Sequence, residues 1–278
     1  MNKSNPLVSV GIPTYNRPKS LKKVLKSLLN QTYDNIEILI SDNCSEGNQV
    51  DELIHDFLKN YKENKIRYFR QPKNMGAAFN YQFVLEKARG KYFFWNADDD
   101  IRSPDFVEVN TNFLESNLEY SAATSPNAMV SDFDKKERNF INFSIEGELL
   151  ERYRTFFENA LISQGIFYAQ YRTDIIKDCP FLGKDFIATD WAISLYTLEH
   201  GPIARLKDRY ILNLRGGVSE SDNHFQNYRQ NVVDDIIPMY RLYSETKELY
   251  RNLKFFQQVS IFSTIMRFNK IYYAMLYQ

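Results

Sequence analysis

The sequence predicts an α/β fold: a mostly parallel sheet with helices on both faces, followed by a helical C-terminal extension. Three observations carry this. Four short apolar runs alternate with amphipathic segments over residues 7–100. Each run ends in a polar loop rather than a two-residue hairpin turn, so consecutive strands need helical crossovers and lie parallel. From Phe225 onward the apolar residues recur at helical spacing.

Residues 7–12 form the first strand, broken by Pro13-Thr14-Tyr15-Asn16-Arg17-Pro18. Leu21, Val24, Leu25, Leu28 and Leu29 share one helical face, and Pro18 suits a first-turn position where its missing N–H costs nothing. Residues 36–40 are the second strand, ending at Ser41-Asp42-Asn43-Cys44-Ser45. Val50, Leu53, Ile54, Phe57, Leu58 and Tyr61 mark the second helix. Residues 66–69 are the third strand, 77–88 the third helix, and 91–95 the fourth strand after Gly90. The loops at Pro13, Asp42, Arg70 and Asp98 therefore all lie at strand carboxyl ends, where open parallel sheets bind ligands. Further on, residues 104–117 read as a helix, and 120–132 and 139–143 as strands around a polar loop. Residues 149–161 carry a helical stripe and 165–171 read as a strand. Residues 185–199 read as a helix, or a turn plus a helix, stopped by Gly201-Pro202, and 203–206 and 210–214 are strands. The expected division is one domain over residues 1–224, with halves 7–108 and 109–224, and an extension over 225–278.

A chain of 278 residues with 44% hydrophobic content can bury a sizeable core. Its 21 Phe and 19 Tyr suit core filling first and sugar-facing surfaces second. The zero net charge gives no electrostatic argument for a nucleic acid partner. Cys44 and Cys179 make neither a metal-ligand spacing nor a disulfide framework, so a reducing cytoplasm is expected. The first residues lack a signal-peptide core, and no run approaches the length of a membrane span.

The chemistry concentrates at Trp95-Asn96-Ala97-Asp98-Asp99-Asp100. Three consecutive carboxylates repel one another, so positive charge must compensate them. A divalent cation shared with substrate phosphates is the expected source, and a solvated acidic turn is the alternative. The first strand-to-helix turn is neither Gly-x-Gly-x-x-Gly nor a P-loop. With no glycine cradle, the phosphate charge falls to a metal at Asp98 and Asp99.

Several ordered segments resemble glycosyltransferase family 2. They are Val8-Ser9-Val10-Gly11-Ile12-Pro13-Thr14-Tyr15-Asn16-Arg17, Asp42-Asn43-Cys44-Ser45, Asn74-Met75-Gly76 with Asn80, and Asn96-Ala97-Asp98-Asp99. The resemblance implies the GT-A fold, a Rossmann-like sheet, with a nucleotide-sugar donor, Mn²⁺ or Mg²⁺, and inversion at the anomeric carbon. It implies transfer to a glycan or lipid-linked acceptor in cell-surface polysaccharide synthesis. It assigns donor binding to Pro13, Thr14, Tyr15, Arg17, Asp42, Arg70, Asn74, Gly76, Asn80, Asn96, Ala97 and Asp98. Asp42 is expected at the nucleobase, uridine first, because its carboxylate can accept an imide N–H; a turn cap is the alternative. Asp98 and Asp99 are the implied metal ligands; His224, from the polar segment after Arg215, is either a further ligand or a solvated loop histidine. Two departures stand out. Asn96 replaces the first acid of the metal motif, and Phe79 stands where the family often has arginine, leaving Arg70 or Lys73 to substitute.

The resemblance continues at Lys184-Asp185-Phe186-Ile187-Ala188-Thr189-Asp190-Trp191, where the family places its general base. Asp190 is the expected base and Asp185 its competitor, since an acceptor hydroxyl must lose a proton as it attacks. Trp191 suits either an acceptor sugar or the core. Residues 251–278 hold Arg251, Lys254, Arg267 and Lys270 but no acid. Such a helix suits peripheral contact with the inner face of the plasma membrane, packing on its own domain, or a homodimer. Competing functions are a sugar-nucleotide nucleotidyltransferase, which needs a glycine-rich basic loop after the first strand, and an inactive carbohydrate- or nucleotide-binding module.

Overall fold

A computed structural model describes residues 5–60, 65–131, 140–162, 164–207, 209–214 and 232–276. Its first part follows the hydrophobic pattern: β1 (Val8–Thr14), α1 (Pro18–Leu29), β2 (Ile36–Asp42), α2 (Gln49–Asn60), β3 (Ile66–Arg70), α3 (Ala77–Glu86) and β4 (Tyr92–Trp95). There follow β5 (Asp100–Arg102), α4 (Phe106–Ser116), β6 (Ala122–Thr124), β7 (Asn127–Val130), α5 (Leu149–Glu158), α6 (Gln164–Phe167) and β8 (Gln170–Arg172). The rest comprises α7 (Thr173–Lys177), α8 (Thr189–His200), β9 (Ile203–Arg205), β10 (Ile211–Leu214), α9 (Val232–Ile236), α10 (Tyr240–Thr246) and α11 (Phe255–Leu276).

The main sheet has seven strands in the order β3-β2-β1-β4-β8-β6-β9, and only β8 runs against the others. A second sheet holds β5-β10-β7. Side chains alternate across the main sheet. Tyr92 and Phe94 enter the core beneath α1, α2 and α4, while Phe93 and Trp95 enter the core beneath α3, α5 and α8. Both faces being covered, β4 reads as an unbroken apolar run. At Gly11 a Cβ would meet Val84 at 2.6 Å and Phe93 at 2.8 Å, so only glycine lets α3 pack this closely on β1.

Three strand expectations change. The run 120–132 is split at Ser125-Pro126 into β6 and β7, which belong to different sheets; proline cannot donate to a continuing ladder. Of the expected strand 139–143, residue 139 lies outside the described residues, and among 140–143 Ile141 makes only an isolated bridge to Asn127. The stretch 165–171 begins as the helical turn α6 and becomes β8 only at Gln170. There the Ile166 and Phe167 carbonyls accept from the Tyr171 hydroxyl and the Gly165 carbonyl from Thr124, so side chains replace the ladder.

The helical tail is present as expected, but it shares the core of the sheet. Met239, Leu242, Tyr250, Ile261, Ile265 and Phe268 join the cluster that contains Trp95 and Trp191. The proposed boundary at 224/225 lies outside the described residues.

Candidate active site

Parallel register puts the site together. Thr14, Asp42 and Arg70 are aligned neighbours at the carboxyl ends of β1, β2 and β3, and Gly11 aligns with Trp95 just before the acids. Side chains then knit the four loops. Thr14 Oγ1 donates to Asp98 Oδ2 at 2.7 Å. The Asn16 N–H donates to Ser45 Oγ at 2.8 Å, and Asn16 Oδ1 accepts from the Glu46 N–H at 2.7 Å. Asn43 and Asn74 pair at 2.8 Å. The four loops expected to converge at the strand ends are therefore in contact.

Positive charge does compensate the acids, and the protein supplies it. Arg17 ion-pairs with Asp99 and lies 3.6 Å from Asp98. Pro18 makes this possible by starting α1, which leaves Arg17 at its N-cap. Burial nevertheless pushes the Asp98 carboxyl up to about 7; the Thr14 hydroxyl, the Arg17 charge and the Tyr15 N–H offset only part of that cost, and Asp99 adds to it. Asp100 points elsewhere. It is buried, its Oδ2 has no hydrogen-bond partner, and burial pushes its carboxyl up to about 7 against Arg102 and Asn213.

Arg102 went unnoticed in the sequence, although an arginine two residues after three acids is a visible signal. It is buried and donates to Asn96 Oδ1 at 2.7 Å, the Trp95 carbonyl at 3.0 Å and the Tyr168 carbonyl at 3.3 Å. Its guanidinium stacks 4.7 Å from the Phe106 ring centre. The hydroxyls of Tyr81 and Tyr168, 3.1 Å apart, also lie within the field of the acids: all three reach Tyr81, and Asp99 and Asp100 reach Tyr168. No spacing pattern announces them.

Four of the expected donor-contact residues are held in hydrogen bonds by the protein itself. Asn96 is fully buried; its Nδ2 donates to the carbonyls of Ala97 and Asp100 while Oδ1 accepts from Arg102, so its amide shapes the acidic turn. Asn80 is buried and ties Ser41 to the Thr14 carbonyl. Asn74 Oδ1 accepts from Asn43 and from the Gly76 N–H, folding the third loop onto the second. The Asp42 carboxylate is wholly buried, with Oδ1 on Ser45 and Oδ2 on Tyr68 and Arg70. That is the cap geometry, overlaid by Arg70, whose guanidinium also holds Asp51 at 2.5 Å. Pro13 is buried within β1, whereas Tyr15, Arg17, Arg70 and Ala97 keep access to solvent. Gly76 has φ +86° and ψ 162° at the N-cap of α3. Gly76→Ala should therefore cost about 1–3 kcal/mol of unfolding free energy in a denaturant titration, although a Cβ there meets nothing within 4 Å.

Asp190 sits in the first turn of α8, partly buried. Burial pushes its carboxyl up to about 6, offset by backbone N–H groups of Trp191 and Asp190 itself. Its charge reaches Tyr171, whose ring packs 5.8 Å from Trp95, one residue before the acidic turn. Asp185 is exposed. Trp191 belongs to the core, against Phe156 and Phe268. Among the described residues, the non-glycine positions with positive φ are Asn16, Cys44 and Ala188. They fall in the first loop, in the second, and two residues before Asp190, and such strain persists where the surroundings enforce it. His224 lies outside the described residues. Among the described residues no three His, Cys, Asp or Glu side chains form a metal-sized group.

Comparisons with known proteins bear on the fold and the family. Over 107 residues the chain is 32% identical to a protein of Escherichia coli named putative colanic acid biosynthesis glycosyl transferase WcaA, covering 38% of this chain and 37% of that one. A crystal structure of S. aureus TarS 1-349 in complex with UDP-GlcNAc superposes with TM-score 0.59 at 18% identity, covering 93% of this chain and 80% of that one. The mannosyltransferase PcManGT from Pyrobaculum calidifontis, in complex with GDP-Man and Mn²⁺, superposes with TM-score 0.57 at 11% identity, covering 99% and 85%. These likenesses show the GT-A fold. The chain spans less than half the length of the curated relatives that it matches over this segment. The family model described as Glycosyl transferase family 2 matches residues 9–177, more than half of the 278, and the chain belongs to that family.

Proposed function

We propose that the protein is an inverting glycosyltransferase that moves a sugar from a nucleoside-diphosphate donor, a UDP-sugar first, to a glycan or lipid-linked acceptor. The observation that carries this reading is Asp98. A carboxylate buried at the end of β4, held by Thr14 and beside Arg17, is prepared for positive charge and phosphate at the mouth of four strand ends. The UDP-GlcNAc bound by TarS and the GDP-Man bound by PcManGT support a nucleotide-sugar donor, and the name of the Escherichia coli relative supports polysaccharide synthesis. Cytosolic donor pools fit a cytoplasmic site.

The donor set fits a hard divalent cation, Mn²⁺ or Mg²⁺. Asp98 and Asp99 would hold it, leaving room for donor phosphates, the usual arrangement for such ions. When bound, the cation neutralises charge on the departing diphosphate. Arg17, already on Asp99, is placed to follow that charge, and Tyr15 and Arg70 flank the nucleoside end. Asp42 holds Arg70 in place and meets a uracil only if the guanidinium swings aside. Asp190 accepts the proton of the acceptor hydroxyl as its oxygen bonds to the anomeric carbon and the C–O bond to diphosphate breaks. A carboxylate with pKa near 6 is ionised at neutral pH and still basic enough for that task. Residues 13–18 form no glycine-rich loop, which leaves nucleotidyl transfer without its cradle.

The test is a thermal-shift panel of nucleotide sugars with Mn²⁺, followed by assay of nucleoside diphosphate release. The right donor raises the melting temperature by mass action; no shift and no release across the panel would overturn the reading. Because protons compete for Asp98, apparent Mn²⁺ affinity with nucleoside diphosphate should fall about tenfold per pH unit below 7 and level off above it. Calorimetric titration measures this, and a flat profile would remove Asp98 from the ligand set.

A further inference from the structure

We propose that the C-terminal helix α11 docks the protein on an anionic lipid surface. The helix has 22 residues, about 33 Å at 1.5 Å per residue. One side is spent inside: Ile261, Ile265 and Phe268 are buried, and Phe268 lies 5.1 Å from Trp191 and packs on Phe157. The opposite side is apolar and bare at its N-terminal end. Phe255 is 71% exposed, Phe256 83% and Val259 47%, and Phe262 is only partly covered by Tyr243. Two adjacent phenylalanines at such exposure are costly in water, and a surface of this kind marks an interaction site.

Charge selects the occupant. Lys254 precedes the phenylalanines, and Arg267 and Lys270 follow on the exposed side. No acid occurs between Arg251 and Leu276. Arg251 is left out of this set because its charge reaches Glu199. A second copy meeting this face across a twofold axis would bring the same unbalanced cations together, since an isologous interface is self-complementary. Anionic headgroups meet them favourably while the phenyl rings enter the interface, the division of labour of an interfacial helix. Crossing is excluded for the described helices, none of which is long and apolar enough to span a bilayer. The helix therefore lies on the surface. Through Phe268 and Trp191 it braces α8, so docking also holds the Asp190 end of the protein near the membrane, where a lipid-linked acceptor would be presented; that last point rests on the proposed function, while the docking does not.

The test is co-sedimentation of the full chain with phosphatidylcholine vesicles and with mixed phosphatidylcholine–phosphatidylglycerol vesicles. Binding is expected to the mixed vesicles and to weaken with salt. Replacing the three cations (Lys254→Gln, Arg267→Gln, Lys270→Gln) should lower it about a hundredfold at low ionic strength, at about fivefold per cation. Phe255→Ser with Phe256→Ser should lower it about tenfold or more without affecting folding, since both rings are exposed. Equal binding to both vesicle types, or undiminished binding by the phenylalanine variant, overturns the proposal. So does a vesicle-indifferent dimer, seen by sedimentation velocity, that the phenylalanine variant converts to monomer. Donor-dependent thermal shift is measured in parallel, so that failure of the docking is distinguishable from failure of the enzymatic reading.

Discussion

Asp98→Asn should lower sugar turnover by on the order of 10³-fold, the scale of removing one preorganised electrostatic contact from a transition state, while making the ligand-free protein more stable above pH 7. The two effects have one cause. Burial pushes the Asp98 carboxyl up to about 7 in the fold, from an ordinary value of 3.8. A folded-state pKa raised in this way gives a contribution that is complete below pH 3.8 and lost as pH rises through 7. At pH 8 the ionised carboxylate is a net cost, which the amide removes. The Thr14 hydroxyl still finds an acceptor in the amide oxygen, so the turn should survive. Melting temperature should rise by about 2–4 °C for each kcal/mol relieved. Scanning calorimetry without metal at pH 5.5 and 8, together with initial rates in excess Mn²⁺, separates the outcomes. Near-native turnover by Asp98→Asn, or full wild-type activity in excess chelator, would sink the metal assignment. A large fall in melting temperature at both pH values would instead make Asp98 a structural residue.

The second large effect is expected at Asp190. Asp190→Asn should bind donor with near-native affinity, yet its kcat should fall by roughly 10² to 10⁴. Wild-type kcat should decline with acid around pH 6, where the buried carboxyl takes up its proton, and the variant should lose that limb. The pH profile matters because a merely structural role in the first turn of α8 would change stability without removing an ionisation. Asp185→Asn, at an exposed position, serves as the comparison. If Asp185→Asn shows the fall and Asp190→Asn keeps the acid limb, the base is Asp185.

Much of this was legible in the chain. The alternation over residues 7–95 placed β1 to β4 and α1 to α3 because each element has one dominant period and a clear breaker, such as Pro18 or Gly90. The acidic turn and its demand for positive charge were legible too. What the sequence could not say was where that charge comes from. It offered a metal, and the fold adds Arg17 to Asp98 and Asp99 and Arg102 to Asp100. Nor could the sequence say that Asn74, Asn80 and Asn96 also hold the loops of the site, since polar residues near a site look alike on paper whether they face a ligand, hold a loop or do both.

By itself, then, the sequence determined the α/β class, the convergence of the first four loops, the family, and the candidate acids Asp98, Asp99 and Asp190, because local periodicity and loop position follow from residue order. Only the tertiary structure decided how residues 120–132 divide between two sheets, and that residues 165–171 open as a helical turn. It alone decided that Asp42 lies buried under Arg70 and that the tail joins the core through Phe268. Those outcomes depend on which groups remain unsatisfied when distant segments meet: carbonyls claimed by Tyr171, a carboxylate covered by a guanidinium from the next strand, a helix face that finds Trp191. Contacts of that kind have no period in the sequence, and they are settled by competition for burial and hydrogen bonds across the whole molecule.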